Sequence, residues 1–435
     1  MSFNVGLSGL KAASTHLNVT GNNIANVGST GFKASRAEFA DIYATSMFGV
    51  GNNTTGSGVL TANISQQFTQ GTISKTGNSL DMAINGNGFY IMSNNGTETY
   101  TRNGTFSTDK EGYIVDNSGN RLQGYRADVD GNIVPGAVTD LVVDTTNQLP
   151  KATTAVAQTL TLNSSSTVPT STTFDPNLAS SYNWSTSVSV FDTQGNEHNM
   201  MQYFVKNDTN QWTMYVTVDG RNPADPTSTT PYSANVNFDA AGRMSSIASN
   251  DFQVDANNVL TMNNWVPAAV KDSKADPVVW GANGAAANGA GVTLDITKVT
   301  QTNSSSAVTK VTQDGYTTGQ LSGLSVDASG TLFANYTNGQ SKNIGQTVLA
   351  TFANMQGLRP VGNTNWIQTV ASGEPVRGTP GSGVIGTIES GALEDSNVDL
   401  TAQLVDLIVA QRNYQANAKT IETENAISQT IIQIR

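Results

Sequence analysis

Apolar side chains near both ends of the chain recur at steps of three, four and seven residues. In the N-terminal segment these are Phe3, Leu7, Leu10, Leu17 and Ile24, which predict an amphipathic helix over residues 3–24. The opposite face of this helix carries Ser, Thr, Asn and Ala, and its single charged side chain is Lys11. A helix with so little charge is not expected to have its polar face simply exposed to water.

The C-terminal segment has the same periodicity over a longer stretch. No Gly or Pro occurs between Asn397 and Arg435, so nothing there breaks a helix. Ser396 followed by Asp399 predicts a capping box just before the apolar run. The apolar stripe consists of Leu400, Leu404, Leu407, Ile408, Tyr414, Ala418, Ile421, Ile427, Ile431, Ile432 and Ile434, interrupted by Gln411, Asn425 and Ser428.

Between these helices the sequence is typical of β-structure. Strand-like runs occur at residues 187–191, 201–205, 212–218, 292–299 and 348–352. Asn103-Gly104, between ETYTR and TFSTD, predicts a two-residue hairpin turn. The pattern Asp-x-x-Gly predicts type I turns with Gly in the fourth position, and it begins at Asp109, Asp116, Asp128, Asp192, Asp239 and Asp327.

Shifts in composition divide the middle of the chain. Residues 145–169 and 301–312 are rich in Thr and Ser, and we interpret them as the borders of an inserted module. Residues 49–58 and 373–386 are rich in Gly and are predicted to be loops or extended connectors. A chain of 435 residues is long enough for about two to four domains.

Charge and cysteine content exclude several classes of function. The net charge is −11 and no cluster of Lys and Arg occurs, so nucleic-acid binding is not expected. There are no cysteines, which excludes disulfides and a thiol nucleophile. The sequence contains no apolar run of about 18 residues, so membrane insertion is not expected. The N-terminus lacks a basic leader before an apolar core, so no cleaved signal peptide is expected.

The residues needed for catalysis are scarce. Only His16 and His198 are available, and no nucleophile-elbow, zinc-protease or phosphate-loop motif occurs. Residues 381–386 match G-x-G-x-x-G but follow RGTP rather than a strand, so the match is interpreted as chance. The Asp128 turn has its Gly two positions too early for an EF-hand loop. We therefore expect no catalytic residue, metal ion or cofactor, and no enzymatic activity.

The length of the C-terminal helix favours self-assembly. At 1.5 Å per residue it reaches about 50 Å, which exceeds the width of a small β-module. Ordering its backbone costs about 1 kcal/mol per residue. Burying one apolar face on a single partner returns only about 15–25 kcal/mol. Neighbouring copies of the chain could supply the additional burial.

Both terminal segments carry long, specific motifs. GLSGLKAASTHLNVTGNNIANVGSTGFKASRAEFAD resembles the N-terminal signature of the bacterial flagellar rod and hook proteins, and GTIESGALEDSNVDLTAQLVDLIVAQRNYQANAKTIETENAISQTI resembles their C-terminal signature. The large insert and the stretch GTLFANYTNGQSKNIGQTVLATFANMQGLRPVGNTNW are similar to the hook branch of this family. The matching positions include Asn22, Asn23, Ile24, Ala25, Asn26, Gly31, Phe32, Ser396, Asn397, Val398, Asp399, Gln411, Arg412, Tyr414 and Asn417.

The resemblance implies a mainly β fold with terminal α-helices and two or more β-rich domains nested between them. Residues 1–27 and 397–435 are expected to pair as a coiled coil that forms the inner tube. Residues 28–76 with 379–396 would form a connecting segment. Residues 77–144 with 314–378 would form a middle β-domain, and residues 145–313 an inserted outer β-domain.

The resemblance also implies a function and partners. The expected function is that of a subunit of a flexible hollow helical tube, a universal joint that transmits motor torque from rod to filament. The expected partners are further copies of the chain, a hook cap protein, a distal rod protein, a hook–filament junction protein and the flagellar type III export machinery, at the extracellular part of the flagellum. Two alternatives stay open: a distal rod protein of the same family, and a secreted β-rich adhesin.

Overall fold

The computed structural model describes residues 2–42, 56–129, 131–171, 173–287 and 289–433, except for the side chains of Ser2 and Ile431. The chain divides into two units. The first takes in residues up to Thr145, Ser322–Asn335 and the chain from Ser341 onward, and the second takes in Thr146–Leu321 and Tyr336–Gln340. The second unit is thus inserted within the first.

The elements of the N-terminal part belong to the first unit. They are α1 (Ser2–Ala25), β1 (Ser35–Asp41), β2 (Val59–Gln66), β3 (Ile73–Lys75), β4 (Met82–Asn85), β5 (Phe89–Asn94), β6 (Thr97–Thr101), β7 (Ser107–Thr108), β8 (Ile114–Val115), β9 (Arg121–Arg126) and β10 (Thr139–Asp140).

The inserted unit contains strands and one short 3-10 turn, Ala179–Ser181. Its strands are β11 (Ala155–Asn163), β12 (Trp184–Phe191), β13 (Glu197–Asp208), β14 (Gln211–Val218), β15 (Tyr232–Phe238), β16 (Met244–Ala248), β17 (Gln253–Val254), β18 (Leu260–Met262), β19 (Ala268–Asp272), β20 (Val279–Ala282), β21 (Val292–Asp295), β22 (Thr300–Thr302) and β23 (Ala307–Gln313).

After the insert the chain returns to the first unit and ends in its long helix. A second 3-10 turn covers Met355–Gly357. The elements are β24 (Leu321–Val326), β25 (Thr331–Tyr336), β26 (Ser341–Thr347), β27 (Leu349–Thr351), β28 (Arg359–Gly362), β29 (Asn365–Ile367), β30 (Val376–Gly378), β31 (Thr387–Ser390), β32 (Ala392–Glu394) and α2 (Leu400–Gln433).

The first unit is built on one large sheet with the strand order β24-β25-β26-β9-β5-β6-β29-β28. Aromatic rings cover this sheet in edge-to-face contacts, with Phe89 against Phe68, Phe352 and Trp366. Three antiparallel pairs surround it: β1 with β2, β3 with β32, and β4 with β31. Strands from both halves of the sequence therefore share this unit.

The inserted unit packs two sheets around an apolar core. One sheet is antiparallel with the order β12-β13-β14-β15-β16, and the other has the order β17-β18-β21-β11-β22 with β23 also on β11. Buried residues alternate with more exposed ones along β11 and β15, as in an ordinary β-sandwich. Trp212, Phe204, Leu160 and Leu294 lie at its centre.

The hairpin predicted at Asn103-Gly104 is wrong. The two-residue turn lies instead at Asn95-Gly96, where both residues have positive φ (49° and 88°) and join β5 to β6. Asn103 accepts the Thr105 N–H at 3.0 Å. Gly104 is required for close approach, since a Cβ there would overlap the Met82 carbonyl.

The six Asp-x-x-Gly turns are confirmed. In each, the Gly N–H donates to the Asp carbonyl three residues earlier, at 3.0–3.1 Å. At Asp109, Asp116, Asp192, Asp239 and Asp327 the carboxylate also accepts backbone N–H groups two and four residues later. These carboxylates stabilise turns, as expected for Asp at the first turn position.

Both terminal helices are confirmed, with one correction at a cap. The helix α2 begins at Leu400, and the Asp399 carboxylate accepts the N–H groups of Thr401 and Ala402 at 2.9 and 3.2 Å. Asp399 is therefore the N-cap itself. The predicted capping box from Ser396 is wrong, because Ser396 lies before the helix and its hydroxyl accepts the Val398 N–H.

The predicted strands are found with different ends. The run at 292–299 is shorter than expected, because the Asp295 carboxylate accepts the Thr297 N–H and turns the chain. Part of the predicted connecting segment, residues 43–55, lies outside the described residues, as does Ile434. None of the described helices is long and apolar enough to cross a membrane.

Candidate assembly surface

The two terminal helices of the first unit lie side by side and run in opposite directions. Gly6 of α1 faces Ile421 of α2, Gly9 faces Asn417, and Asn23 donates a hydrogen bond to the side chain of Gln403 at 2.9 Å. Residue numbers rise along α1 as they fall along α2. The predicted pairing of the helices is thus present as an antiparallel contact.

Small residues form this helix–helix interface. A Cβ at Gly6 would lie 3.1 Å from Ile421 Cγ1, and a Cβ at Gly9 would overlap the Asn417 amide. Ala13 continues the same face of α1, and Ala410 of α2 is completely buried. The absence of a side chain at Gly6 and Gly9 thus makes room on α1 for the Ile421 and Asn417 side chains of α2.

The large apolar side chains of the predicted stripe lie mostly outside this interface. Phe3 and Ile408 are each 51% exposed, and Ile432 is 73% exposed. Leu7, Leu400, Leu404, Tyr414 and Ile427 are also exposed, whereas Leu10, Leu17, Ile24, Leu407 and Ile421 are half-buried. Ile434 and the side chain of Ile431 lie outside the described residues. A single copy of the chain therefore leaves an apolar surface on both helices.

The β1–β2 pair packs beside α1 and enlarges this surface. The Ser8 hydroxyl accepts the Val59 N–H at 3.2 Å and donates to the Val5 carbonyl at 2.8 Å. The strands in turn expose Phe39, Leu60 and Ile64. We call the exposed apolar side chains of α1, α2, β1 and β2 together the assembly surface.

A buried charge cluster joins the helices to the β-strands. Glu394 accepts from Lys33 Nζ at 2.5 Å and from Arg102 Nη1 at 3.0 Å, and all three side chains are buried. Lys33 also donates to the Thr69 carbonyl at 2.7 Å, and Arg102 to the Gly86 carbonyl at 2.7 Å. Burial lowers the pKa of Lys33, an effect that Glu394 opposes. This cluster holds five separate chain segments together.

Asn397 and Gly31 complete the junction. The Asn397 amide oxygen accepts the Ala34 N–H at 2.8 Å, and its NH2 donates to the Gln67 carbonyl at 2.7 Å. Gly31 has a φ of 68° and donates to the Glu394 carbonyl at 2.8 Å. A Cβ at Gly31 would lie 2.6 Å from the Arg102 backbone. The position where the N-terminal helix gives way to strands is therefore fixed by specific bonds.

The residues of the sequence signature fall into three groups. Asn23, Gly31 and Asn397 bind backbone groups at the junction, Asn26 and Asp399 lie at helix ends, and Asn417 lies in the helix interface. Phe32, Ser396, Val398 and Ile24 are half-buried around them. The exposed members are Asn22, Ala25, Gln411, Arg412 and Tyr414.

Sequence reasoning missed Lys33, Arg102 and Glu394, as well as Gly6 and Gly9. No local sequence signal marks the three charged residues, since other charged residues such as Arg36 and Asp395 lie close to them in the sequence. The glycines recur at i and i+3 on one helical face, which is a signal for close helix packing. An apolar stripe does not include them, because glycine carries no side chain.

The inserted unit contains a buried cluster of a histidine and carboxylates. His198 Nδ1 lies 2.6 Å from Asp219 Oδ2, and Nε2 lies 3.2 Å from Asp192 Oδ2. Burial lowers the pKa of His198, but the hydrogen bonds to the two carboxylates outweigh it and raise the pKa above its usual value of 6.5. The pKa of Asp192 is lowered, because its hydrogen bonds to Asn196, Asn283 and His198 outweigh its burial.

The described residues contain no cluster of His, Asp and Glu suited to a metal ion. The G-x-G-x-x-G match at 381–386 forms a loop closed by the hydrogen bond from Gly381 N to the Gly386 carbonyl at 2.9 Å. Strand β31 follows this loop, whereas a nucleotide-binding turn opens a helix.

Comparison with known protein families gives matches along most of the chain. Residues 3–33 match the model described as flagella basal body rod protein. Residues 83–157 match the flagellar hook protein FlgE/F/G D1 domain, and residues 161–316 the flagellar basal body protein FlaE D2 domain. Residues 389–434 match the flagellar basal body rod FlgEFG protein C-terminal model.

Full-length relatives and one solved structure agree with these matches. The chain is 39% identical over 440 residues to the flagellar hook protein FlgE of Escherichia coli K12, covering 100% of both. It is 31% identical to the flagellar hook protein FlgE of Treponema pallidum, covering 99% of this chain and 98% of the relative. The crystal structure of Helicobacter pylori flagellar hook protein FlgE2 has a similar fold, with a TM-score of 0.50 at 13% identity, over 74% of this chain and 100% of that one.

Proposed function

We propose, from the premise that the chain belongs to the flagellar hook protein family, that its assembly surface packs against other copies of the chain to form a hollow helical tube. The chain is a structural subunit of the flagellar hook and is not an enzyme. The proposal concerns how the subunits hold together.

The observation that carries this proposal is the exposure of both terminal helices. Ile408 and Ile427 of α2 and Phe3 of α1 remain about half exposed even though the two helices pair. Large apolar patches on a protein surface mark sites of interaction with other proteins. Further copies of the same surface are the partners that this family of structural proteins supplies.

A surface that joins copies head to tail without closing a ring produces a helical filament. We place residues 1–27 and 397–435 in the inner wall of the tube, paired as a coiled coil. The interface residues there are Phe3, Leu7, Leu10, Leu17, Ile24, Leu400, Leu404, Leu407, Ile408, Tyr414, Ile421, Ile427, Ile431 and Ile434.

The remaining domains would form the outer layers of the tube. Residues 28–76 with 379–396 would connect the wall to a middle domain of residues 77–144 and 314–378, and residues 145–313 would lie outermost. Such a tube acts as a universal joint when the inner contacts are firm and the outer contacts slide. The Ser, Thr, Asn and Gly content of the insert supports shallow outer contacts.

Membership of the flagellar hook protein family also suggests specific partners other than copies of the chain. We propose that the distal rod protein adjoins the tube at one end and the hook–filament junction protein at the other, and that growth proceeds under a hook cap protein. The subunit would reach the outside of the cell through the flagellar type III export apparatus, without a cleaved signal peptide. Each partner would contact the same helices that copies of the chain use for one another.

The proposal is tested by introducing charge on the assembly surface. Ile408→Asp should abolish tubes in electron micrographs of concentrated protein while leaving the thermal unfolding of the monomer unchanged, since this side chain is half exposed. The matched control is Val168→Asp, which changes an exposed apolar residue of the insert and should leave tube formation intact. Normal tubes from Ile408→Asp would contradict the proposal.

A further inference from the structure

The helix α2 extends past the helix that it pairs with. Gly6 faces Ile421, so Ser2, four residues earlier in α1, is level with about Asn425. The helix α2 continues to Gln433, which leaves its last two turns without an α1 residue beside them. We call residues 422–433, the last turn that lies beside α1 together with these two unpaired turns, the overhang. Ile427 and Ile432 of the overhang are exposed.

A groove runs along the other side of α1. It has a volume of about 700 Å³ and is bordered by α1 and by β2. Its lining includes the apolar side chains of Leu7, Leu10, Val59 and Leu60, together with Lys11 and the small polar residues Asn4, Ser8, Ser14, Thr15 and Thr61. Its size and mixed lining suit a helix that carries both apolar and charged side chains.

The charges of the groove and of the overhang are opposite. Lys11 is the single charged residue of α1, and its side chain is exposed. The charged residues of the overhang are Glu422 and Glu424. Glu422 forms an ion pair with Lys419 at 2.8 Å, whereas Glu424 and Lys11 form none within the described part of the chain. Glu424 is therefore an unpaired acidic side chain whose charge is opposite to that of the unpaired Lys11.

The spacing on the two helices is also compatible. Leu7 and Lys11 are separated by four residues and share one face of α1, and Glu424 and Ile427 are separated by three residues and share one face of α2. Two antiparallel helices can thus place Ile427 against Leu7 and Glu424 against Lys11 at the same time. This direction is the one in which α1 and α2 already pair.

We propose that the overhang of one copy docks in the groove beside α1 of a second copy, with Ile427 on Leu7 and Glu424 paired with Lys11. This inference rests on the proposed function and specifies one of its contacts. Opposite charges select the correct register, since like charges brought together at an interface are strongly unfavourable.

Charge reversal tests the pairing. Lys11→Glu and Glu424→Lys should each slow tube assembly by about tenfold or more, and the double variant K11E/E424K should recover a rate close to that of the natural sequence. The control Lys310→Glu changes the net charge equally at an exposed position of the insert and should have no effect. Single variants that assemble normally, or a double variant as slow as the singles, would overturn the inference.

A disulfide cross-link tests the contact between Leu7 and Ile427 directly. Because the natural sequence has no cysteine, only the introduced cysteines can form a disulfide. Chains carrying Leu7→Cys are mixed with chains carrying Ile427→Cys, assembled and oxidised, so that any disulfide dimer joins two copies. Leu7→Cys mixed with Val168→Cys is the control. Tubes without the Leu7–Ile427 dimer would overturn this inference alone, whereas failure of the natural protein to assemble would overturn the proposed function as well.

Discussion

At the residue scale, one buried carboxylate holds the junction of the first unit. Glu394 binds two cations that lie 361 and 292 positions away in the sequence. Its Oε1 also accepts the Gly71 N–H at 2.9 Å. A buried ion pair contributes little over an apolar replacement of both partners, but removing one partner leaves the other charge uncompensated.

Replacing Glu394 by Gln should therefore destabilise the first unit by about 3–5 kcal/mol. Hydrogen exchange should show faster exchange in peptides that cover residues 66–76 and 390–397, while peptides of the inserted unit keep their protection. Glu374→Gln, at an exposed position, serves as the control. Unchanged exchange in Glu394→Gln would show that the cluster does not hold the junction.

His198 predicts a pH dependence for the inserted unit. A raised folded-state pKa gives stability that is complete below the usual value of 6.5 and is lost as the pH rises through the folded value. The lowered pKa of Asp192 gives stability that is present above its usual value of 3.8 and is lost as the pH falls. The stabilisation from both groups should thus be greatest between pH 4 and 6.5, values that correspond to the unfolded pKa of each group.

The measurement is thermal unfolding followed by tryptophan fluorescence, because Trp265 lies 5.3 Å from the His198 ring. The midpoint should fall as the pH is raised from 6 toward 9. His198→Gln should lower the midpoint at pH 6, with a loss of about 1–3 kcal/mol, and should remove the decrease at alkaline pH. An unaltered pH profile in the variant would exclude His198 as its source.

Sequence reasoning could identify the turn carboxylates but not the buried charges. Asp109 could be identified because its carboxylate binds the backbone of residues within four positions of it. Lys33, Arg102 and Glu394 were missed because their contacts are set by tertiary structure. The wrong hairpin at Asn103-Gly104 has the same origin, since packing against Met82 decides the backbone there.

At the scale of elements, the two helices could be predicted because their periodicity extends over many turns. The interface between the two helices could not be predicted in the same way. The apolar stripes were expected to form it. The structure pairs the helices around Gly6, Gly9, Ala13 and Ala410 and leaves most of the large side chains of the stripe exposed. The apolar stripe of the two helices therefore predicts a surface for contacts with other molecules and not the contact between the helices.

Gly9→Leu should separate the helices, because the added side chain would overlap Asn417. Overpacking of this kind costs about 1–3 kcal/mol. The helical signal in circular dichroism should melt at a lower temperature than in the natural protein. Gly21→Leu adds the same side chain where no atom lies within 4 Å of the new Cβ, and it should not lower the melting temperature. Equal melting of the two variants would mean that the close contact at Gly9 is not needed.

At the scale of the whole molecule, different parts of the chain serve folding and assembly. The β-rich parts of both units have buried cores of their own, such as the one around Trp212 in the insert. The terminal helices instead keep large apolar side chains exposed. We expect the units to fold in a single copy, while the helices reach their full burial only between copies.

The most direct measurement is a helical reconstruction of the assembled tube by electron cryomicroscopy at side-chain resolution. We expect Phe3, Leu404, Ile408 and Ile427 to be covered by neighbouring copies around a hollow axis. Tubes in which these side chains remain exposed, with subunits joined only through their β-rich parts, would contradict it.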